Sequence, residues 1–282
     1  MSVDRLFAEV AKKGPICVGL DPHMDHMPEE VRGLSIEETI FTFNKKIIDA
    51  TKDLVAVYKP QAAYYEAYGL EGVRAYQRTL EHLRKEGALI INDVKRGDIS
   101  STAGMYAKAY FEGDMEGDLM TLNPYMGMDS IEPYMEYVEK HDKGLFVIVK
   151  TSNPGSRDIE CLEVDGEPLY IHVGRALEKL HGNTIGKSGY RNIGFVIGAT
   201  NTVEGEGAFI RKAFPDTFFL VPGYGAQGGK GADALTLLQD GNGGVVNSSR
   251  GIIRAFEKSS KPFDEAARDA VLSMKEDLRV GL

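Results

Sequence analysis

Two acids and a lysine lie within six residues in the segment DVKRGD, directly after an apolar run. Asp93 and Lys95 are two residues apart, so on a strand their side chains point to the same face. Asp98 follows in a segment that we expect to be a loop. Alternating acids and bases held out of water keep lysine protonated and can stress a bound anion. The segment is a candidate catalytic element, although a solvated loop with an incidental ion pair would have the same spacing.

Apolar or β-branched runs of strand length recur along the chain, and most are continuous rather than alternating. Continuous runs are typical of parallel strands that are covered on both faces. There are eight such runs: ICVGLD, LVAVYKP, ALIINDVK, DLMTLNP, LFVIVKTS, IGFVIGAT, FFLVPG and GGVVNSSR.

Amphipathic stretches separate these runs, and GVRAYQRTLEHLRKEG ends on Lys85 and Gly87, as a helix C-terminus does. Strand and helix alternate eight times without a linker or a change of composition. The sequence therefore predicts an α/β fold, a (β/α)8 TIM barrel forming a single domain over residues 1–282, with a short N-terminal helix. A doubly wound sheet is the alternative, but it needs fewer strands.

Polar residues stand where most of the predicted strands end, and in a (β/α) barrel these C-terminal ends form the active-site face. Lys59 is a second strand-end lysine, which strengthens the catalytic reading of Asp93 and Lys95. The predicted set is Asp21, Lys59, Asp93, Lys95, Asn123, Thr151, Ser152, Asn201 and Arg250.

The segment PGYGAQGG fits G-x-G-x-x-G through Gly223, Gly225 and Gly228, after the seventh predicted strand. A dinucleotide site needs an acid at the end of the next strand, where this chain has Arg250. The glycines instead favour a phosphate site with Arg250 as the charge partner, because barrels often bind phosphate after strands seven and eight. A flexible glycine-rich turn is the simpler alternative.

Composition excludes several classes of function. The formal net charge of −9, without a basic cluster, disfavours a nucleic-acid partner. The two cysteines are far apart and lack neighbours at zinc-ligand spacing, which indicates a reducing, cytoplasmic setting. We expect neither a signal peptide nor a membrane span, because no apolar run is long enough.

Five motifs, GLDP, YKP, DVKRGDISST, KTSNPGS and PGYGAQGG, occur in this order over about the whole predicted barrel. In these motifs the chain resembles the orotidine 5′-phosphate decarboxylase family, particularly its longer bacterial group. The resemblance implies a carboxy-lyase that needs no cofactor and converts orotidine 5′-phosphate (OMP) to UMP and CO2 in de novo pyrimidine biosynthesis. It also implies a homodimer with shared active sites.

The resemblance further implies roles for the charged residues. Asp93 would lie against the substrate carboxylate, and Lys95 would protonate C6 of the pyrimidine. Lys59 would belong to the charged array beside the ribose, whose hydroxyls Asp21 would contact. Asp98 is the remaining residue of the implied catalytic set.

The resemblance also assigns contacts outside this array. Asp98, Ile99 and Thr102 would reach into the neighbouring subunit's site. Many family members have a Pro-Asn pair before this threonine, whereas this chain has Ser100 and Ser101. The implied contacts with the rest of the substrate are Ser152 and Gln227 at the pyrimidine edge, Pro222 in the pocket wall, and Gln227 and Arg250 at the phosphate.

Three other functions remain open at this point. A magnesium-dependent keto-sugar-phosphate decarboxylase or aldolase of the same suprafamily shares D-x-K-x-x-D but needs a further carboxylate, where this chain offers Asn123 and Ser152. A Schiff-base aldolase could use the strand-end Lys150. A module that only binds a phosphate ligand would keep Arg250 without any need for Asp93 and Lys95.

Overall fold

The computed structural model describes residues 1–199, 204–225 and 231–278. Its strands are β1 (Ile16–Leu20), β2 (Val57–Pro60), β3 (Leu89–Arg96), β4 (Leu119–Leu122), β5 (Gly144–Lys150), β6 (Glu163–Val164), β7 (Glu167–Pro168), β8 (Ile193–Ile197), β9 (Phe219–Val221) and β10 (Gly244–Ser248). Within the described residues, eight parallel strands close into a barrel in the order β1, β2, β3, β4, β5, β8, β9, β10, and β10 pairs with β1.

Helices cover the outside of the barrel and alternate with its strands. They are α1 (Ser2–Lys13), α2 (Ile36–Thr51), α3 (Ala63–Glu66), α4 (Gly69–Lys85), α5 (Ser100–Phe111), α6 (Glu132–Lys140), α7 (Ser156–Ile159), α8 (Leu169–Glu178), α9 (Glu206–Ala213), α10 (Gly231–Leu235), α11 (Arg250–Ile253) and α12 (Phe263–Asp277). Short 3-10 turns cover Met24–His26, Glu29–Val31, Gly113–Met115, Met128–Ser130 and Ala255–Lys258.

Alternate residues of each barrel strand face two different hydrophobic cores. In β1, Cys17 belongs to the cluster that fills the barrel, whereas Ile16 and Val18 belong to the cluster under the helices. Because both faces of each strand are covered, the strands appear in the sequence as continuous apolar runs. Leu6 of α1 joins the inner cluster, so the N-terminal helix packs against the barrel interior.

The predicted TIM barrel is confirmed, with all eight strands in their expected places. The antiparallel pair of β6 and β7 was not predicted, because each strand has only two residues. Its signal was the Asp165-Gly166 pair, both residues having positive φ as a tight hairpin turn requires. No helix in the described part of the chain is long and apolar enough to cross a membrane.

Candidate active site

The described residues of the predicted site all lie at or beyond the C-terminal ends of barrel strands. Seven of them ring the barrel mouth: Asp21 after β1, Lys59 in β2, Asp93 and Lys95 in β3, Ser152 after β5, Pro222 after β9, and Arg250 at the start of α11. Asp98 and Ile99 follow β3 in the loop before α5, and Thr102 lies in the first turn of that helix. Gln227 and Asn201 lie outside the described residues.

Asp93 is the centre of a charged cluster at the end of β3. Its Oδ2 accepts from the Lys59 ammonium at 2.6 Å, and its Oδ1 accepts from the Lys95 ammonium at 2.6 Å. Asp93 and Lys59 are each only 4% exposed, whereas the Lys95 side chain is 44% exposed. The cluster therefore presents one accessible ammonium that is held in place by a buried ion pair.

A bulge at the end of β3 brings Lys95 back onto Asp93. Register with β4 shifts between Asn92 and Arg96, and Lys95 has a φ of 46°. Such a φ is uncommon for a residue other than glycine. The two side chains do meet, but through this bulge rather than through the simple strand alternation expected from their spacing.

The charges in the cluster support one another. Burial alone would raise the pKa of Asp93, but the ammonium groups of Lys59 and Lys95 outweigh it and hold that pKa well below its usual range. Burial would likewise lower the pKa of Lys59, yet Asp93 and Asp21 raise it. Asp93 and Lys59 are therefore both charged at neutral pH, as a fixed electrostatic array requires.

Asp21 lies beside this array with an unsatisfied oxygen. Among the described residues, its buried Oδ1 has no hydrogen-bond partner. Burial raises the pKa of Asp21, and the nearby Lys59 offsets that rise only in part. A buried carboxylate oxygen without a donor is costly, so this group is suited to accept hydrogen bonds from a ligand.

The end of β5 places Ser152 at the opposite side of the mouth. Gly198, after β8, lies so close that a Cβ there would come within 2.8 Å of the Ser152 backbone nitrogen. The preceding residue is anchored by Glu160, which accepts from the Thr151 backbone N–H at 2.7 Å and from its hydroxyl. Ser152 therefore has a defined position from which it can contact a ligand.

Glycines and an arginine border the side of the mouth formed by β9 and β10. Gly223 and Gly225 have φ of 101° and 72°, which lets the backbone turn where an L side chain would be strained. Arg250 is exposed and lines a cavity of about 630 Å³ together with Tyr224 and Gly225. This region has the composition of a phosphate site, because backbone N–H groups can approach closely beside a guanidinium.

Within the described ranges, Asp98 makes no hydrogen bond or ion pair with the charged cluster of its own chain. Its Oδ1 accepts from the Ile99 backbone N–H at 2.8 Å, and the segment then leaves the barrel into α5. Thr102 is exposed on the first turn of that helix. Exposed apolar side chains occur in α4, α5 and the loops after β3 and β4: Leu70, Ile99, Met105, Tyr125 and Met126.

Comparison with known proteins identifies the family. The model of the orotidine 5′-phosphate decarboxylase / HUMPS family matches residues 14–261. The chain belongs to this family. It is 55% identical to the orotidine 5′-phosphate decarboxylase of Clostridium novyi (strain NT), over 98% of both chains. It is 53% identical to that of Clostridium acetobutylicum, over 99% of both.

A solved structure agrees with this assignment. The Leishmania donovani OMP decarboxylase matches with a TM-score of 0.79 and 34% identity, over 99% of this chain and 98% of that one. The resemblance inferred from the five motifs is therefore confirmed, together with the fold.

Lys150, which a Schiff-base aldolase would need as its nucleophile, is buried in an ion pair. It is 1% exposed at the end of β5, and its ammonium lies 3.3 Å from Glu206 Oε2. Tyr170 donates to Glu206 Oε1 on the far side. A Schiff-base lysine must be reachable by the carbonyl of its substrate, and an amine that is 1% exposed is not.

A candidate metal-binding group lies on the outside of the barrel and not in its mouth. In the described part of the chain, Asp49 of α2, His82 of α4 and Glu86, just after α4, place ligand atoms within 4.8 Å of one another. Both acids already have ammonium partners, Lys45 for Asp49 and Lys52 for Glu86, each at 2.5 Å. We interpret the group as a surface ion-pair network.

Sequence reasoning missed Thr121, which touches the charged cluster from β4. Its hydroxyl donates to Asp93 Oδ1 at 3.0 Å and accepts from two backbone N–H groups of β3. The available signal was a single polar residue inside the apolar run DLMTL. Inside a barrel strand that residue must find hydrogen-bond partners.

Proposed function

We propose that this chain converts OMP to UMP and CO2 in de novo pyrimidine biosynthesis, and that the cluster of Lys59, Asp93 and Lys95 carries the chemistry without a cofactor. The observation that carries the proposal is the buried Lys59–Asp93 ion pair with the accessible Lys95 ammonium at 2.6 Å from Asp93. Family membership supports the reaction, and the geometry supports these residues as its agents.

The reaction requires a cation and a proton donor at one carbon. When the C6–carboxylate bond breaks, its electron pair stays on C6, and the pyrimidine ring cannot delocalise that pair well. The Lys95 ammonium stabilises the developing charge and gives its proton to C6, which leaves UMP and a neutral amine that solvent reprotonates. Lys95 suits this role because its side chain is the exposed member of the cluster.

Asp93 and the ribose contacts complete the reacting half of the site. Because two ammonium groups keep the pKa of Asp93 low, Asp93 remains ionised beside the substrate carboxylate. Its negative charge repels that carboxylate and destabilises the enzyme–substrate complex. Departure of CO2 relieves the repulsion. Asp21 accepts from the ribose hydroxyls through its unsatisfied oxygen, and Lys59 lies beside it.

The other half of the site supplies binding energy. Ser152 and Gln227 contact the pyrimidine edge, Pro222 lines the pocket, and Arg250 with Gln227 binds the phosphate. The phosphate contacts are remote from C6, so their binding energy can offset the burial of the substrate carboxylate beside the like-charged Asp93.

The experiment is incubation of purified protein with OMP in EDTA, following the loss of absorbance as the carboxylate departs. We expect full activity, with UMP and CO2 in equal amounts. A strict magnesium requirement would favour the metal-dependent members of the suprafamily. OMP that is bound but left intact would indicate a binding module, and a borohydride-trapped sugar-phosphate adduct on Lys150 would indicate an aldolase.

We further propose that the active unit is a two-fold dimer in which Asp98, Ile99 and Thr102 enter the partner's site. Two observations support this: within the described part of the chain Asp98 makes no bond to its own cluster, and the segment that follows it carries the exposed apolar side chains of Ile99 and Met105. Sedimentation should give twice the chain mass of 30.9 kDa. Met105→Glu should shift the protein toward monomer, whereas Leu272→Glu, at an exposed apolar position on α12, should not. A monomeric wild type would contradict the proposal.

A reducing cytoplasmic location is also proposed. Both cysteines are free thiols, Cys17 in the barrel interior and Cys161 half-buried. Burial raises the pKa of Cys17 to about 12, so this thiol is unreactive at neutral pH. Fractionation of the source cells would test the location, and enzyme outside the cytosol would contradict it.

A further inference from the structure

Thr121 uses its whole hydrogen-bonding capacity on the β3 bulge. It is 1% exposed in β4. Its oxygen accepts from the backbone N–H groups of Val94 and Lys95, each at 2.9 Å, and its hydroxyl proton goes to Asp93 Oδ1 at 3.0 Å. A hydroxyl has one donor and two acceptor sites, so all three are occupied by consecutive residues of the catalytic segment.

The bulge makes these bonds necessary. Where the register of β3 against β4 shifts, backbone N–H groups lose their regular ladder partners. The Lys95 backbone is also held at a φ of 46°, a conformation that persists only when its surroundings fix it. The Thr121 oxygen supplies the acceptor for both displaced N–H groups.

We propose that Thr121 is a positioning residue for the decarboxylation. Its oxygen fixes the backbone from which the Lys95 side chain leaves, and its proton fixes the carboxylate oxygen that Lys95 contacts. One side chain thus sets both ends of the Lys95–Asp93 ion pair. The inference rests on the proposed roles of Asp93 and Lys95.

Replacing the hydroxyl separates this role from simple packing. Thr121→Val keeps the shape and removes all three bonds, whereas Thr121→Ser keeps the bonds and removes a methyl group. Because a misplacement of about 1 Å can cost about 100-fold in rate, we expect kcat of Thr121→Val to fall roughly 10- to 100-fold. The affinity for UMP should change by less than about threefold, since the phosphate contacts are remote. Thr121→Ser should recover kcat to within about threefold of wild type.

A matched control lies at the other end of the barrel. Thr217 is also fully buried, but its hydroxyl oxygen has no hydrogen-bond partner among the described residues. Thr217→Val makes the same chemical change away from the mouth, and kcat should stay at the wild-type value. Thr121→Ala serves as a second hydroxyl-free variant should Thr121→Val not fold.

Each result decides the inference. An unchanged kcat in Thr121→Val overturns it, and so does an equal loss in Thr121→Ser, which would show that the methyl group matters instead. If neither hydroxyl-free variant folds, the role is one of stability and the positioning claim is wrong. Lys95→Ala is assayed alongside: turnover by that variant would defeat the proposed catalytic roles themselves, whatever Thr121 does.

Discussion

Two buried lysine–carboxylate pairs lie at the C-terminal end of the barrel, and only one of them belongs to the proposed site. Lys59–Asp93 joins β2 to β3 at 2.6 Å, and Lys150–Glu206 joins β5 to α9 at 3.3 Å. Both lysines are almost inaccessible. Burial of an ion pair therefore does not distinguish a catalytic lysine from a structural one.

The difference lies in what surrounds each pair. Asp93 carries a second ammonium, that of Lys95, which reaches the mouth, and Asp21 beside it has an unsatisfied oxygen. Glu206 is instead buried, and its contacts include Lys150 and Tyr170. A site needs polar groups that a ligand can satisfy, and Lys95 and Asp21 provide such groups beside the first pair.

Removing the accessible ammonium should have the largest effect. In Lys95→Ala we expect kcat to fall by about 10⁴-fold or more, because both the proton donor and its charge are lost. UMP affinity by calorimetry should stay within about threefold of wild type. Lys95→Arg keeps the charge beside Asp93 but cannot release a proton, so it should be nearly as slow. Binding that falls in parallel with the rate would make Lys95 structural.

Breaking the Lys150–Glu206 pair should instead affect stability alone. Lys150→Met leaves the buried Glu206 without its ammonium and should lower the free energy of unfolding by about 3 to 5 kcal/mol in urea titrations. Its kcat should remain within about twofold of wild type. Lys59→Met, the matched change in the first pair, should lower both stability and kcat. Loss of activity in Lys150→Met under conditions where it is folded would contradict the distinction.

Arg250 belongs to neither pair, and its removal should weaken the binding of UMP. Arg250→Ala should weaken UMP binding by about 2 to 5 kcal/mol, the range for removing one partner of a desolvated charge pair. Arg254 lines the same cavity but is paired with Glu257 at 2.8 Å, so Arg254→Ala is the control and should bind normally. An unchanged Michaelis constant in Arg250→Ala would place the phosphate elsewhere.

Asp21→Asn should show the smallest effects: weaker substrate binding and a more stable unliganded protein. Substrate affinity should fall about tenfold, because a charged acceptor for the ribose is lost. The free energy of unfolding of the unliganded protein should rise by about 1 kcal/mol at pH 8, since a buried charge is removed. Differential scanning calorimetry checks the second effect, and a loss of stability at pH 8 would show that Asp21 is already satisfied.

The pH dependence of Asp21→Asn follows from the pKa of Asp21, which burial raises above its unfolded value. The wild type therefore loses this group's contribution to stability as pH rises through the raised pKa. Asparagine does not titrate. The advantage of the variant should grow from about pH 4 upward and vanish below it, where the wild-type carboxyl is protonated in both states.

The sequence predicted the barrel well because its strands are continuous apolar runs with polar residues at their ends. It also predicted which residues would gather at the mouth, since strand order places Asp21, Lys59 and Asp93 side by side. It could not reveal the β3 bulge or its link to Thr121, because these depend on register between strands. Strand position alone did not separate Lys59 from Lys150, since both are strand-end lysines. It was the family resemblance that gave Lys59 a place in the charged array, and the packing around each lysine then shows the difference.

Subunit complementation tests most directly the claim that the charged residues form one site across two copies of the chain. Inactive Lys95→Ala and inactive Asp98→Ala subunits are mixed, exchange is verified by mass spectrometry, and OMP decarboxylation is measured. A mixed dimer has one site with both residues intact, so equal mixing should restore about a quarter of wild-type activity, because half of random dimers are mixed. If exchange is complete and no activity returns, Asp98 serves its own chain and the shared site is wrong.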